Sequence, residues 1–153
     1  MDKESSEIIN QFKLSPHPEG GWFREILRSE SFVIRKDGKK RNNISGIYYL
    51  LCKGEKSSWH RVNYADEIWI YLQGSPLDIW CLDDDNKKIR HLRLDSKKPI
   101  QMIPSGYWQA ATSSGKFTLT SCCVGPGFDF SDFEKLRNIE PCLRPAKALQ
   151  ELI

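Results

Sequence analysis

The sequence contains no long hydrophobic run: no stretch approaches the roughly 18 to 20 apolar residues that a membrane-spanning helix needs. It also contains no internal repeat and no low-complexity tract. The first twelve residues, MDKESSEIINQF, are acidic and polar, which is unlike a secretory signal. The sequence therefore predicts neither a membrane partner nor a secretory leader.

A strong charge of one sign is missing as well. The net charge is +3, and the basic residues are scattered along the chain. Their densest cluster, Lys36 and Lys39–Arg41, surrounds Asp37-Gly38, which is a strong turn signal. This pattern favours a solvated hairpin tip over a phosphate-binding patch, and it predicts no nucleic-acid partner.

Paired cysteines are missing too. The five cysteines are an odd number without a CxxC spacing, which disfavours a zinc site or a redox pair. Four of them lie in apolar, strand-like runs. We therefore expect these four to be reduced core residues of a cytoplasmic protein; they are Cys52, Cys81, Cys122 and Cys123.

Short strands at regular spacing dominate what is present. With 153 residues, 39% of them hydrophobic, the chain is the size of one globular domain with its own core. The pattern predicts an antiparallel sandwich or barrel, with helices over Lys3–Phe12, Asp132–Asn138 and Leu143–Ile153, Ser131 being the N-cap of the second. A turn is expected over Asp83–Asn86. The predicted strands are Trp22–Leu27, Ser31–Ile34, Ile44–Cys52, Ser58–Val62, Glu67–Leu72, Leu77–Leu82, Ile89–Leu94, Pro99–Ile103, Tyr107–Ala111 and Phe117–Val124.

Two motifs carry the functional signal. Gly54 is followed by five residues and then His60, while Glu67 is followed by six residues and then Gly74. Later in the chain, Pro104-Ser-Gly-Tyr-Trp-Gln109 forms a second motif. Because strands separate the two motifs, a barrel can bring them to one pocket that holds an imidazole, a carboxylate and aromatic rings. This combination indicates a small-molecule site.

Both motifs resemble those of the cupin superfamily, which read Gly-x5-His-x-His-x3–4-Glu-x6-Gly and Pro-x-Gly-x-x-His. The resemblance is sharper to the DUF985 or cupin_5 branch, whose members are often labelled predicted sugar epimerases. It implies an all-β double-stranded β-helix, a jelly-roll barrel with short N- and C-terminal helices. It also implies one domain over 1–153, with an arm at about 1–25, a barrel at about 26–127 and a tail at about 128–153. The matching segments are Pro16–Glu25, His60–Trp69, Ile103–Ala111 and Pro126–Glu134.

The sequence lacks some of the metal ligands of a metal-binding cupin. Metal-binding cupins use three imidazoles and one carboxylate, and here only His60 and Glu67 match. The other position of the His-x-His pair is Ser58 or Val62, depending on the register, and Gln109 replaces the last histidine. This ligand set disfavours a divalent metal at His60 and Glu67, although manganese and magnesium, which accept oxygen ligands, are less strongly excluded.

Without a metal, the resemblance implies proton transfer in a sugar or nucleotide-sugar epimerase or isomerase. His60 would be the base, Glu67 its orienting partner or a second acid–base group, and Tyr71 the acid. Arg24 and Arg61 would stabilise the enolate oxygen, with Lys56 a poorer candidate. The alternative is a cupin that binds a small molecule without reacting with it.

The remaining candidates concern ligand binding and assembly. Aromatic rings stack on sugars or bases, and we therefore assign Trp22, Trp69 and Trp108 to ligand binding, although ordinary core packing stays an open alternative. Glu19 and Gln109 are expected to bind the ligand as well, with a surface ion pair between Glu19 and Arg24 as the equal alternative for Glu19. His17 is expected to lie at the surface, the alternative being that it caps the mouth of the barrel. The family resemblance further implies a homodimer formed by sheet extension.

Overall fold

The computed structural model describes residues 2–82, 85 and 88–153, and its first element is the predicted N-terminal helix. This helix, α1, spans Lys3–Phe12, and the Asp2 side chain accepts a hydrogen bond from the Ser5 N–H at its start. Ile8 is buried, and Ile9 and Phe12 pack beside it against strand residues of the core. The predicted apolar face of the helix is therefore confirmed.

Thirteen strands are found among the described residues, and each of the ten predicted strands is present to within two residues at either end. Strands β1, β4 and β13 were not predicted. The predicted turn over Asp83–Asn86 lies outside the described residues apart from Asp85. The strands are β1 Ser15–Pro16, β2 Trp22–Arg28, β3 Phe32–Ile34, β4 Lys40–Asn42, β5 Ser45–Cys52, β6 Lys56–Val62, β7 Asp66–Gly74, β8 Leu77–Leu82, β9 Arg90–Leu94, β10 Ile100–Ile103, β11 Trp108–Ser113, β12 Phe117–Gly125 and β13 Phe133–Lys135.

The strands form two antiparallel sheets that stack as a jelly-roll sandwich. Sheet I has the order β1-β2-β5-β12-β7-β10, and sheet II has the order β13-β6-β11-β8-β9. The largest core cluster lies between them, with Tyr49 and Trp69 from sheet I facing Ile79 and Ala111 from sheet II. The hairpin β3–β4 pairs only with itself in the described part of the chain. The jelly-roll architecture implied by the sequence is confirmed.

The C-terminal tail differs from its predicted form. Where a helix was expected over Asp132–Asn138, strand β13 pairs with β6 between two 3₁₀ turns, Phe130–Asp132 and Leu136–Asn138. The cap is Asp129, whose side chain accepts from the Ser131 N–H. Pairing with β13 satisfies backbone groups along the edge of β6, and this gain outweighs the local capping pattern.

Further 3₁₀ turns, Pro141–Leu143 and Gln150–Leu152, take the place of the predicted terminal helix. Ala148 and Leu152 of this segment pack with Trp59 in a second core beneath sheet II. The indole of Trp59 donates a hydrogen bond to the Leu149 carbonyl at 3.0 Å, which fixes the tail to β6. Among the described residues, no helix is long and apolar enough to cross a membrane.

The β3–β4 hairpin is tied to the tail by a buried ion-pair network. Asp132 accepts hydrogen bonds from Arg35 Nη1 and Arg41 Nε, both at 2.8 Å, and all three side chains are at most 10% exposed. Lys39 and Lys40, in contrast, stay exposed at the hairpin tip, as expected. Arg41 therefore serves in structure rather than in the solvated cluster to which the sequence assigned it.

Candidate functional site

A cavity of about 380 Å³ opens between sheet I and the β6–β13 edge of sheet II. Its volume lies within the range of about 300–1,000 Å³ that is typical of small-molecule sites. Strands β2, β5, β7 and β12 form one wall, and β6 with the segment around Phe128–Phe133 forms the other. Among its titratable lining residues, four form what we call the polar cluster: His17, Glu19, His60 and Glu67. The others are Glu25, Arg28, Cys122 and Asp129.

The loop His17–Gly21 closes one side of the cavity and is held from two directions. The Glu19 carbonyl accepts from the Ser58 N–H at 3.0 Å, and the Pro18 carbonyl accepts from Lys135 and Arg137. Gly20 has φ = +110°, and a Cβ there would lie 2.1 Å from the Lys56 carbonyl oxygen. Only glycine allows this close approach of the loop to β6, which carries Glu19 into the cavity.

His60 is buried in the cavity, and its hydrogen bond shows which ring nitrogen carries the proton. Nδ1 lies 2.8 Å from the Ser58 carbonyl oxygen, which can only accept, and so the neutral ring is protonated at Nδ1. Nε2 then carries a lone pair and has no hydrogen-bond partner within the described residues. Burial, with a smaller contribution from Lys135, outweighs the Ser58 contact and lowers the pKa of His60 to about 4, so that the ring is neutral at pH 7.

Glu67 is oriented by a chain of two hydrogen bonds. The Trp69 indole, which can only donate, bonds Gln109 Oε1 at 2.8 Å, and this leaves Gln109 Nε2 to donate to Glu67 Oε2 at 2.5 Å. Burial raises the pKa of Glu67 to about 7, although the contacts with Gln109 and Cys122 act in the opposite direction. Glu67 is therefore divided between its acid and its carboxylate at neutral pH.

Glu19 lies at the side of His60. Its Oε1 accepts from the Ser57 hydroxyl at 3.0 Å, while Oε2 is 3.1 Å from His60 Nδ1 and has no hydrogen-bond partner. Burial, followed by repulsion from Glu67, raises the pKa of Glu19 well above its ordinary value. This shift favours the neutral carboxylic acid, and one of its two oxygens, Oε2, has no hydrogen-bond partner.

His17 lines the cavity, so the expectation that it lies at the surface is wrong. Its Nδ1 accepts from the Glu19 N–H at 3.3 Å, which places the proton of the neutral ring on Nε2. The ring packs edge-on against Phe23 and Tyr49. Burial, with added repulsion from His60 and Lys135, lowers the pKa of His17 to about 3. His17 thus offers a donor where His60 offers an acceptor.

Phenyl rings, not indoles, form the apolar wall of the cavity. The tail contributes Phe128, Phe130 and Phe133, which contact one another edge-on, and β2 contributes Phe23. Among the described lining residues, Arg28 has the only lysine or arginine side chain, and it is bound to Glu25 at 2.7 Å and to the Phe128 carbonyl.

Trp108 and Trp22 do not line the cavity. Trp108 neighbours Gln109 on β11, and because successive strand residues face opposite sides, it lies in the second core with Trp59. Trp22 donates to Glu55 at 3.1 Å and packs on the α1 core. Trp69 supports Gln109 from within the main core. All three indoles therefore take part in core packing, which is the alternative to ligand binding that the sequence left open.

Tyr71, Arg24 and Arg61 are also placed away from the polar cluster. The Tyr71 hydroxyl donates to the Gly74 carbonyl at the far end of its own strand. Arg24 donates to the Phe12 carbonyl and fixes α1. Arg61 alternates with His60 on β6, so that it bonds Glu134 and lies 4.4 Å over the Trp108 ring.

The donor set at the polar cluster does not fit a divalent metal. The Gln109 oxygen, its only group that can ligate, is taken by the Trp69 indole, and the Ser58 carbonyl is taken by His60. Among the described residues, no group of three or more His, Cys, Asp or Glu side chains is arranged to hold an ion. We therefore derive no chemistry from a metal here.

Sequence reasoning preferred a surface position for His17 and did not identify Cys122 or the phenylalanines of the cavity. The signal for His17 and Phe133 was present, because both lie in segments that match the DUF985 pattern, Pro16–Glu25 and Pro126–Glu134. For Cys122 the only signal was its alternation with Cys123 on β12. The Cys122 thiol lies beside Glu67, and burial raises its pKa well above the ordinary value, so it remains a thiol.

Comparisons with known proteins agree with this architecture. The model of the family described as Cupin_5, cupin superfamily (DUF985), matches residues 6–136. A Shewanella oneidensis protein is 32% identical, with 86% of this chain and 83% of that chain covered and a TM-score of 0.75. A hypothetical protein from Leishmania major is 25% identical over 97% of both chains, with a TM-score of 0.83.

More distant structures share the fold alone. CapF, a capsular polysaccharide assembling protein from Staphylococcus aureus, is 15% identical, with 80% of this chain but 31% of that chain covered and a TM-score of 0.63. The comparison with curated proteins found no similar sequence.

Proposed function

Because the chain belongs to the DUF985 family of the cupin superfamily, we propose that its cavity binds a sugar-sized carbonyl compound and isomerises or epimerises it by proton transfer. The single observation that carries this proposal is the pairing of Glu67 and His60. Glu67 projects from sheet I and His60 from sheet II into one cavity. Glu67 titrates near neutral pH, and His60 Nε2 has a lone pair that accepts no hydrogen bond within the described residues.

Glu67 is the better base of the two. A general base works best when its pKa lies near the operating pH, and this favours Glu67, with a pKa of about 7, over His60, with a pKa of about 4. This assignment exchanges the roles that the sequence indicated. The Gln109 amide keeps the Glu67 carboxylate in one orientation.

The reaction is balanced without any other reagent. The Glu67 carboxylate takes a proton from the carbon next to the carbonyl, and the C–H electron pair moves to form an enediolate. His60 Nε2 accepts a hydrogen bond from the neighbouring hydroxyl and orients the substrate. The acid form of Glu67 then returns its proton to the neighbouring carbon while the hydroxyl proton passes by way of His60 Nε2 to the former carbonyl oxygen, which gives the isomer. Return of the proton to the original carbon gives the starting compound, and the epimer requires a proton delivered to the opposite face of the enediolate.

A free sugar fits this cavity better than a nucleotide sugar. A diphosphate carries several negative charges, and cationic side chains normally bind it. Arg28 already has Glu25 as its ion-pair partner at 2.7 Å. A volume of about 380 Å³ matches a single sugar ring better than a nucleotide-linked one.

The alternative, a cupin that binds its ligand without reacting with it, is favoured by the phenyl rings. Phe23, Phe128, Phe130 and Phe133 supply apolar contact area that needs no chemistry from the ligand. The same experiment separates the two functions, because a binder without activity gives a saturable complex and no exchange of carbon-bound protons.

The test is solvent deuterium exchange, followed by proton NMR, on a panel of free trioses, pentoses and hexoses together with two nucleotide sugars. We expect loss of the signal from the proton next to the carbonyl of at least one free sugar. Exchange confined to the nucleotide sugars would contradict our choice of ligand. Absence of exchange throughout, in a protein that binds one of the sugars, would establish the alternative.

We also propose that the protein is a cytoplasmic homodimer in which the single domain of residues 1–153 pairs through sheet I. The edge strand β10 carries Ile100 and Met102, both more than half exposed, and Ile68 beside them on β7 is also exposed. Edge strands with an apolar outer face favour pairing with a second copy. We expect light scattering to give twice the chain mass, and a monomer at micromolar concentration would contradict this.

A further inference from the structure

One buried oxygen at the polar cluster has no role in the proton transfer proposed above. Only 6% of Glu19 is exposed. Among the buried side-chain nitrogen and oxygen atoms in the described part of the chain, its Oε2 is the one that lacks a hydrogen-bond partner. A buried polar atom without a partner is costly, and few occur in folded proteins. Since Glu19 lines the cavity, a ligand that enters the cavity can satisfy it.

The neighbours of Glu19 show that its free oxygen can donate a hydrogen bond. The Ser57 hydroxyl donates to Oε1, and His60 Nδ1, although 3.1 Å from Oε2, gives its proton to the Ser58 carbonyl. The nearby cations Lys135 and Arg137 bind the Pro18 carbonyl instead of the carboxyl group. The N–H at His60 Nδ1 is the donor that lies near Oε2, but its hydrogen bond goes to the Ser58 carbonyl, and burial outweighs the attraction of Lys135 and Arg137 in setting the pKa of Glu19. A proton on Oε2 is therefore available to an acceptor in the cavity.

We propose that Glu19 is the oxyanion-binding group of the site: as a neutral acid it donates a hydrogen bond from Oε2 to the carbonyl oxygen of an uncharged α-hydroxycarbonyl substrate. This inference rests on the proposed function. As Glu67 removes the proton next to the carbonyl, negative charge develops on that oxygen, and the bond from Glu19 strengthens. A carboxylic acid kept neutral by an apolar site is known to stabilise enolates in this way. His17, with its proton on Nε2, is a second donor on the same loop.

The substrate class follows from the charge balance of the site. The neutral states of His17, Glu19 and His60 leave Glu67 as the one member of the polar cluster that carries charge at pH 7. A ligand that already carries a carboxylate or phosphate would meet this charge without a free cation among the described lining residues. An uncharged carbonyl compound acquires its negative charge only after its proton has moved to Glu67.

The test uses 4-nitrophenol as a probe, because its phenolate resembles an enolate and absorbs visible light. On binding, the phenol proton passes to the Glu67 carboxylate, and Glu19 donates to the phenolate oxygen. The matched probe without an oxygen is 4-nitrotoluene. We expect Glu19→Met to weaken nitrophenol binding by about tenfold to hundredfold, the range of a hydrogen bond to a charged group, and to leave nitrotoluene binding unchanged. Glu19→Gln, which keeps an N–H donor, should retain most of the affinity.

Equal nitrophenol affinity in wild type and Glu19→Met would overturn the inference. An infrared difference spectrum provides a second measurement that does not depend on the folding of that variant. The C=O band of the neutral Glu19 acid should shift when nitrophenol binds to the wild type, and this band should be missing in Glu19→Gln, whereas the band that Glu67 gains with the phenol proton should appear in both proteins. Absence of the Glu19 band from the wild type would also overturn the inference.

Failure of this inference and failure of the proposed function give different results. If phenolate binding depends on Glu19 but no sugar proton exchanges, the oxyanion site is supported and the isomerase activity is ruled out. If exchange of the sugar proton depends on Glu67 but is unchanged in Glu19→Met, the isomerase activity is supported and the oxyanion site is ruled out. If the isomerase activity and the oxyanion site are both correct, we expect Glu19→Met to slow exchange of the sugar proton by about 10²- to 10³-fold, as for the loss of one oxyanion donor.

Discussion

Substitution of Glu67 by Gln should slow exchange of the sugar proton by about 10²- to 10⁴-fold, the usual contribution of general acid–base catalysis. The amide has nearly the same shape and still accepts the hydrogen bond from Gln109, so the cavity keeps its form. What the variant loses is the group that takes the proton. The measurement is the exchange rate of the sugar that the panel identifies, at saturating protein and pH 7.

The matched control is Glu30→Gln, because Glu30 is an exposed carboxylate. Its exchange rate should equal that of the wild type. If Glu67→Gln retains the wild-type rate while the control behaves as expected, Glu67 is not the base, and His60 returns to that role.

The same variant should be more stable than the wild type above pH 7. Between the ordinary pKa of 4.5 and about 7, the folded chain retains on Glu67 a proton that the unfolded chain has lost. The stability of the wild type therefore falls as the pH rises through this window. Glu67→Gln has no proton to lose there, and the pH dependence of its melting temperature should be correspondingly weaker.

Substitution of Asp132 by Ala should lower the free energy of unfolding by about 3–5 kcal/mol, the usual cost of removing one partner from a buried ion pair. The variant leaves Arg35 and Arg41, both nearly buried, without the carboxylate that they share. The adjacent Phe130 and Phe133 line the cavity, and so ligand binding should weaken as well. Urea unfolding at pH 7 measures the change.

The expected pH dependence has the opposite sign to that of Glu67. Burial acts to raise the pKa of Asp132, but hydrogen bonds from Arg41 and Arg35 outweigh it and hold the pKa below its ordinary value. The contribution to stability is complete above the unfolded pKa of about 3.9 and is lost as the pH falls through the folded value. Asp37→Ala, which removes the more exposed partner of Arg35, should cost much less than Asp132→Ala. Equal losses in the two variants would show that burial of the network is not what matters.

The strands were predictable because alternation and turn residues act locally. Glu67 and Trp69 lie on the same buried face of β7, as their spacing of two indicates. The convergence of His60 and Glu67 with Gln109 was predictable from the two cupin-like motifs. Alternation also predicts that Trp108 and Arg61 face away from the cavity. Their neighbours Gln109 and His60 face the sandwich interior, and successive residues of a strand face opposite sides.

Long-range pairing was not predictable from local pattern. The segment Phe133–Lys135 forms a strand because β6 is available on the other side of the fold, and no feature of the segment itself indicates this partner. His17 reads as a loop residue between two prolines, yet Gly20 brings its loop to within contact of Lys56 on β6. In both cases the decisive partner is more than 35 residues away in the sequence, by the numbering.

The central claim is that Glu67 is an acid–base group that titrates near neutral pH inside a ligand cavity. Carbon-13 NMR on protein labelled at the glutamate carboxyl carbons tests it most directly, and the signal of Glu67 is assigned by its absence from Glu67→Gln. We expect a midpoint near pH 7, as burial of the carboxylate requires. A midpoint near the ordinary value of 4.5 would show that Glu67 is fully ionised at neutral pH, and it would contradict both the base assignment and the charge balance of the site.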